Sequence, residues 1–458
     1  MDTINLEVLQ SAVAGPAAAF RARTRLQPAG GEGDKVFPPT YAGAVYAVEE
    51  RRTKQENGEW ETTPCVLLDS VQSQANRLEE ALQQAIDAGL FQDCPIPVIE
   101  VDFSGEDLLD EVGTITSLTA PHRAADAILR DSLVAEGEGQ GTPFRESPIG
   151  ARLDHTSLSN ATPLYEICPT ALVFGIWDST GLKGGLGAKF QRSLVSEIVG
   201  VNVSFGKKTS SRIDPLKIQR VAGPVYRTVN RGWTLDASKA LQEKGKPVLY
   251  GKRKGKNITH DPKNATFPDE GRPSVINHGN VTPDFSRYTG SIGVPDPIRP
   301  HEEVREKRVG ASGVTVDYAE QTTVLSLPAL RRLRFPVNGG SPTQETDAAG
   351  RTVLAALGLT ACALAAENGY DLRSRCLLWP SNPLRWELLA RPGEKPAQLT
   401  FTADDAIQTL KEAIAAAEKV GLTWRKDPLK LTPAPQLVEL LKRSQKIAAD
   451  ESTEETEV

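Results

Sequence analysis

The chain has 458 residues, 39% of them hydrophobic, and a formal charge of −6. That is enough for two or three ordinary domains or one elaborated one with a real core, and it excludes a uniformly basic nucleic-acid coat. Five widely spaced cysteines (Cys65, Cys94, Cys168, Cys362, Cys376) form no Cys-x-x-Cys or Cys/His cluster, so neither a disulfide framework nor a zinc site is signalled and a reducing cytoplasm is expected.

In chain order, Met1-Asp-Thr-Ile-Asn5 lacks a signal-peptide pattern. Tyr41 to Glu49 reads as a strand, Gly58 as a turn, and Cys65 to Leu68 as a second strand. A strong helix follows: Val71, Ala75, Leu78, Leu82 and Ala85 recur at helical spacing, with Ser70 placed as N-cap. Its first turns expose Gln72, Ser73, Gln74, Asn76 and Arg77 at a positive helix end, a dense set of donors for an anion. The alternative is a well-capped surface helix. Val98 to Phe103 reads as a strand, residues 120–130 as helical, and Gly137 to Gly141 as flexible punctuation.

The most informative stretch is Asp178-Ser-Thr-Gly-Leu-Lys-Gly-Gly-Leu-Gly-Ala-Lys-Phe-Gln-Arg192. It holds four glycines (Gly181, Gly184, Gly185, Gly187) and three cations (Lys183, Lys189, Arg192). The apolar run Thr170 to Trp177 before it reads as a strand. The pattern after it reads as a helix, with Phe190, Leu194, Val195 and Ile198 on one side and Lys189, Arg192, Ser193 and Ser196 on the other. Glycines let backbone approach a ligand closely, and a helix start offers free N–H groups, so the arrangement suggests a grip on phosphate. A P-loop needs Gly-x-x-x-x-Gly-Lys-[Ser/Thr]. Here Ala188 separates Gly187 from Lys189, and Phe190 stands where the hydroxyl belongs. A phosphodiester backbone, which needs only donors and charge, fits better than a nucleotide. An ordinary turn is the alternative.

Residues 207–310 are rich in Pro, Gly and basic side chains and weakly periodic, too long for a simple loop. Between Lys207 and Lys256 fourteen cations face three acids, a net of +11 that leaves −17 for the rest of the chain. Such asymmetry suggests a localised basic surface, to which Lys207, Lys208 and Arg212 belong; a lysine-rich loop without function is the alternative. Asn277-His-Gly-Asn280 reads as a turn. Val314 to Leu327 reads as a long strand, Arg351 to Asn368 as a helix, and Cys376 to Trp379 and Leu384 to Leu389 as strands. The longest apolar run, around Val353 to Ala366, is too short to span a bilayer and reads as a buried helix. Two helices close the chain, one from the capping-box-like Thr402-Ala-Asp-Asp405 and one after Pro435, ahead of an acidic, disordered tail. These elements predict an α+β sheet protein. The expected parts are 1–206, the insertion 207–310, 311–400, the C-terminal helices 401–449 and the tail 450–458.

No catalytic constellation stands out. The five histidines are scattered, and a Gly-x-Ser-x-Gly elbow is absent. Asp34, in the loop Gly30-Gly-Glu-Gly-Asp34, has the chemistry to organise a metal for RNA cleavage but reads most simply as a turn residue. No cofactor or metal site is expected.

Asp69-Ser-Val-Gln-Ser-Gln-Ala-Asn-Arg77 and Gly181-Leu-Lys-Gly-Gly-Leu-Gly-Ala-Lys-Phe-Gln-Arg192, followed by Ser196-Glu-Ile-Val-Gly200, resemble the RAMP-type backbone subunit of type I CRISPR Cascade complexes, in the subtype I-G (formerly I-U) variant. The resemblance runs from about Tyr41 to the C-terminal helices. It implies a modified RRM, ferredoxin-like palm with large insertions and a C-terminal helical extension. It implies copies stacked head to tail along a crRNA, presenting it for target-DNA pairing in antiviral defense, beside other Cascade subunits and a recruited helicase–nuclease. The subunit itself would cut nothing. By that resemblance, Ser70, Gln72, Ser73, Gln74, Asn76 and Arg77 would hold crRNA, together with Lys183, Gly184, Gly185, Lys189, Arg192 and Ser193. The basic insertion, with Lys207, Lys208 and Arg212, would supply a thumb. The sequence shows no RRM-style aromatic stacking motif, which suits a subunit that leaves bases free to pair. Two readings stand against it: a metal-dependent endoribonuclease of RAMP type using Asp34, and a nucleotide enzyme built on the glycine loop.

Overall fold

A computed structural model describes residues 2–41, 45–54, 58–178, 189–206, 210–212, 222–230, 232–250, 271, 281–284 and 313–456. The chain divides into two compact units, one of 1–206 with 290–439 and one of 207–289 with 440–458.

The first unit is built on one large sheet. Eight of its ten strands are β1 (Ala19–Pro28), β2 (Val48–Lys54), β3 (Trp60–Asp69), β4 (Leu194–Val201), β5 (Tyr318–Ser326), β6 (Leu377–Pro380), β7 (Trp386–Leu389) and β8 (Ala397–Thr400); the two-residue strands Asp2–Thr3 and Tyr370–Asp371 complete it. The order is β8–β7–β1–β5–β4–β3–β2, with β6 also paired to β1. The helices are α1 (Val71–Asp87), α2 (Gln344–Asn368) and α3 (Ala403–Lys419). Taken alone, β1–α1–β4–β5–α2–β7 places its fourth strand beside its first, then the third, then the second, all antiparallel. That is the connectivity of a ferredoxin-like βαββαβ core. The β2–β3 hairpin widens the sheet beyond β4. The protein is α+β, and its last long helix, Pro435–Thr456, carries the acidic tail as helix to Thr456 rather than as a disordered segment.

Local sequence explains the elements. Ser70 caps α1, accepting from the Ser73 N–H at 3.2 Å. Thr402 and Asp405 close a reciprocal capping box on α3. Along α2 every residue from Thr352 to Leu364 is buried, because α1, α3 and the sheet enclose it. This helix is long and apolar enough to cross a membrane, longer than the run expected from sequence, and 78% of its apolar window is buried inside the protein. In β1, Phe20, Ala22, Thr24 and Leu26 are buried, while Arg21, Arg23 and Arg25 face the other way. A smaller sheet orders Thr114–Thr116, Ile99–Asp102, Leu429–Thr432 and Leu133–Val134.

Two predicted elements change type. Thr170 to Trp177 is not one strand: Thr170–Phe174 is a short buried helix, and only Ile176–Trp177 is extended. Pro169 with helical φ opens it and Gly175 at φ 83° stops it. The segment after the glycine loop is strand β4, not a helix. Phe190, Leu194 and Ile198 lie four apart, which satisfies a two-residue period as well as a helical one, and Val195, Ile198, Val199 and Val201 favour the strand. Among the described residues the insertion contributes short pairs, such as Ser210–Arg212 with Val281–Asp284, within the second unit.

Candidate nucleic-acid interface

The start of α1 is organised around one carboxylate. Asp69 ends β3 with no exposed surface. It accepts from Ser73 Oγ at 2.8 Å, Gln74 Nε2 at 2.7 Å, Arg77 Nε at 3.0 Å and Arg373 Nη2 at 3.2 Å. Arg77 also donates to the carbonyls of Asp371 and Leu372. Gln74 continues the network inward, its Oε1 accepting from Ser196 Oγ and Gln321 Nε2, both at 2.9 Å. Ser196 in turn meets Thr323 Oγ1 at 2.8 Å. Much of the expected donor set is therefore spent inside the protein. Gln74 is buried, Ser73 and Arg77 are half-buried and bonded to Asp69, Ser70 caps the helix, and only Gln72 and Asn76 stand fully exposed. Two guanidiniums against one carboxylate leave a positive excess here, and Arg373 Nη1 is buried without a partner.

The glycine loop itself, with Lys183, Gly184 and Gly185, lies outside the described residues. Its two roots are described. Trp177 pairs with Lys189 and Ile176 with Phe190, so a two-residue ladder closes the loop at its base. Trp177 is 59% exposed, and Lys189 Nζ sits 5.0 Å from its ring centroid. Ser193 is buried, its Oγ donating to the carbonyls of Leu172 and Val173 at 3.2 Å, so it points inward rather than to a ligand. Arg192 differs. It is half-buried, its Nε is enclosed without a hydrogen-bond partner, and among the described residues no carboxylate forms an ion pair with its guanidinium. Burial and the neighbouring Arg123 pull its pKa below the usual arginine range, with Glu79 acting the other way. Unpaired charge out of water is costly, and an anion arriving at Arg192 relieves that cost. Gly175 lets this segment pack closely, since a Cβ there would stand 3.0 Å from Arg192 Cγ and 3.1 Å from the Arg192 backbone N.

One helix links the two motifs. Gln74 of α1 touches Ser196 of β4, and Glu79, five residues on, lies in the field of Arg192. Glu79 is 2% exposed and accepts twice from Arg123, at 2.6 Å each. Burial pushes its pKa up to about 7 despite that partner. A raised folded-state pKa contributes stability that is fully present below the unfolded carboxyl value and is lost as pH rises through about 7. Wild type is therefore expected to lose stability relative to Glu79→Gln between about pH 5 and pH 8. Parallel thermal melts of the two proteins check this, and identical pH profiles would refute it.

Other predicted residues do not join this site. Lys207 and Lys208 lie outside the described residues, as does the Asn277–Asn280 turn; Arg212 sits in the strand Ser210–Arg212, its side chain undescribed. Asp34 folds back on its own loop, Oδ1 accepting from the Lys35 N–H at 2.8 Å. Among the described residues no three His, Cys, Asp or Glu side chains gather as metal ligands. Sequence reading passed over the arginines of β1, although Phe20-Arg21-Ala22-Arg23-Thr24-Arg25-Leu26 alternates with strand period and puts every cation on one face.

Residues 20–205 match a family described as CRISPR-associated protein GSU0053. The matched stretch contains β1, the Asp69–Arg77 cluster, the glycine loop and β4, so these parts are similar to a CRISPR-associated protein. No curated protein matches the chain.

Proposed function

We propose that this protein is a crRNA-binding backbone subunit of a type I CRISPR Cascade effector, of the subtype I-G kind. In this reading it oligomerises along the guide RNA, presents it for pairing with target DNA, and cuts nothing itself. The observation that carries the reading is Arg192, a half-buried guanidinium whose Nε is enclosed without a hydrogen-bond partner, at the foot of a lysine- and glycine-rich loop. Lys189 on Trp177, and the two arginines that share the one carboxylate of Asp69, add cations and a stacking surface. The match to a CRISPR-associated family supports the same conclusion.

The physics suits a repeated subunit. Each copy neutralises a few phosphates, and repetition along one RNA multiplies the affinity. An acidic chain with local basic sites avoids coating nucleic acid indiscriminately. Head-to-tail contacts extend until RNA length or capping subunits stop them. Co-expression with a repeat–spacer RNA and the other Cascade subunits tests the reading. A large species rich in 260 nm absorbance, yielding RNA of defined length, is expected. A monomer free of RNA under those conditions would overturn it.

A further inference from the structure

The face of the large sheet opposite the one that α2 packs on carries a second pattern. Register partners in antiparallel strands share a face. Arg21 of β1 pairs with Glu387 of β7, and Arg25 with Glu320 of β5. The same face takes Arg23, Arg385, Tyr318 and, opposite Gln27, Trp379 of β6. The arginines line an open basin of about 490 Å³ together with Asn382 and Gln398. Arg21 is held by Glu387 at 2.6 Å and Arg23 by Glu320 at 2.7 Å. Arg25 has no carboxylate partner among the described residues; its guanidinium lies 3.8 Å from the ring centroid of Tyr318. Arg385 is exposed with no ion pair among the described residues, and Trp379 is 70% exposed.

We propose that this face is a second binding surface for single-stranded nucleic acid, built from different residues than the Lys189–Arg192 site. Single strands are held by cations that follow the backbone and by aromatic or guanidinium planes on which bases stack. Both are present here: the arginines run along β1, and Tyr318 and Trp379 stand beyond Arg25 at its far end. Arg21, Arg23 and Arg25 stand about 7 Å apart along β1, the first two fixed by ion pairs and the third pre-stacked. Four arginines against two glutamates give the basin the charge a phosphodiester needs. Trp379 beside them is 70% exposed and offers an open π-face. The occupant is RNA or DNA by the same chemistry, so both are tested.

The full chain, as wild type and as Lys189→Ala/Arg192→Ala, would be titrated with fluorescent oligo-U RNA and oligo-dT DNA at several salt concentrations. Versions carrying 4-thiouridine or 4-thiothymidine would be photocrosslinked. Expected are crosslinks at peptides holding Tyr318 and Trp379, and about tenfold weaker binding for Trp379→Ala in both backgrounds. For Arg385→Ala, the expectation is a salt slope shallower by roughly one with an unchanged melting temperature. Persistence in the Lys189→Ala/Arg192→Ala background separates this surface from the guide site. Crosslinks confined to 177–192, unchanged affinity in both variants, or no binding of either oligonucleotide at low salt would overturn it. So would variants that alter oligomeric state while leaving oligonucleotide binding intact, since the face would then be a protein interface.

Discussion

Replacing Asp69 by alanine is expected to cost about 3–5 kcal/mol of folding stability, the range for removing one partner from a buried, charge-assisted cluster. The carboxylate is fully enclosed and is the shared acceptor of a hydroxyl, an amide and two guanidiniums. Its loss leaves Arg77 and Arg373 facing each other without a counter-charge, and Gln74 loses the anchor of its amide N–H. Asp69→Asn keeps the shape but loses the charge, so it should fall between. Denaturant unfolding checks the order wild type, Asn, Ala. Because these residues form one network, a double-mutant cycle of Asp69→Ala with Arg77→Ala should show coupling of about 0.5–3 kcal/mol. A loss under about 1 kcal/mol in the alanine variant would mean that the cluster is solvated and its donors are free for a ligand after all.

This cluster also shows how far the residues alone could be read. The helix over Val71–Asp87 and its Ser70 cap follow from periodicity and capping chemistry, and both are present. What periodicity could not say is that Asp69, one residue before the cap, turns inward and gathers the donors of the next two turns. One signal was there: Gln74 stands four before Leu78 and eight before Leu82, on the apolar stripe rather than off it. The opposite error occurred at β4. A four-residue spacing of apolar positions cannot distinguish the two periods, and the register was decided by pairing with β3 and β5, strands distant in sequence. The α+β class survived both errors, because replacing one helix by a strand left sheet and helices alternating.

Substituting alanine at Lys183, Lys189 and Arg192 together is expected to strip most RNA from the protein, with the salt dependence of RNA binding shallower by about 2, near 0.7 per single-strand phosphate contact. Arg192 makes the result diagnostic, because its two roles predict opposite signs. A buried cation retained for folding would be paired, and its removal would destabilise the protein. Among the described residues Arg192 has no ion pair, its Nε lacks a partner, and burial and Arg123 disfavour its charge. Removing it should leave the melting temperature of the RNA-free protein unchanged or higher while RNA retention falls. Lys189→Ala alone should weaken binding less, since that side chain is exposed and already rests on Trp177. Arg192→Lys keeps the charge but loses the planar fork that can hold a phosphate with two donors, so partial rescue is expected. If Arg192→Ala destabilised the free protein and left bound RNA intact, the half-buried guanidinium would belong to the fold, and the guide-RNA path would have to run elsewhere.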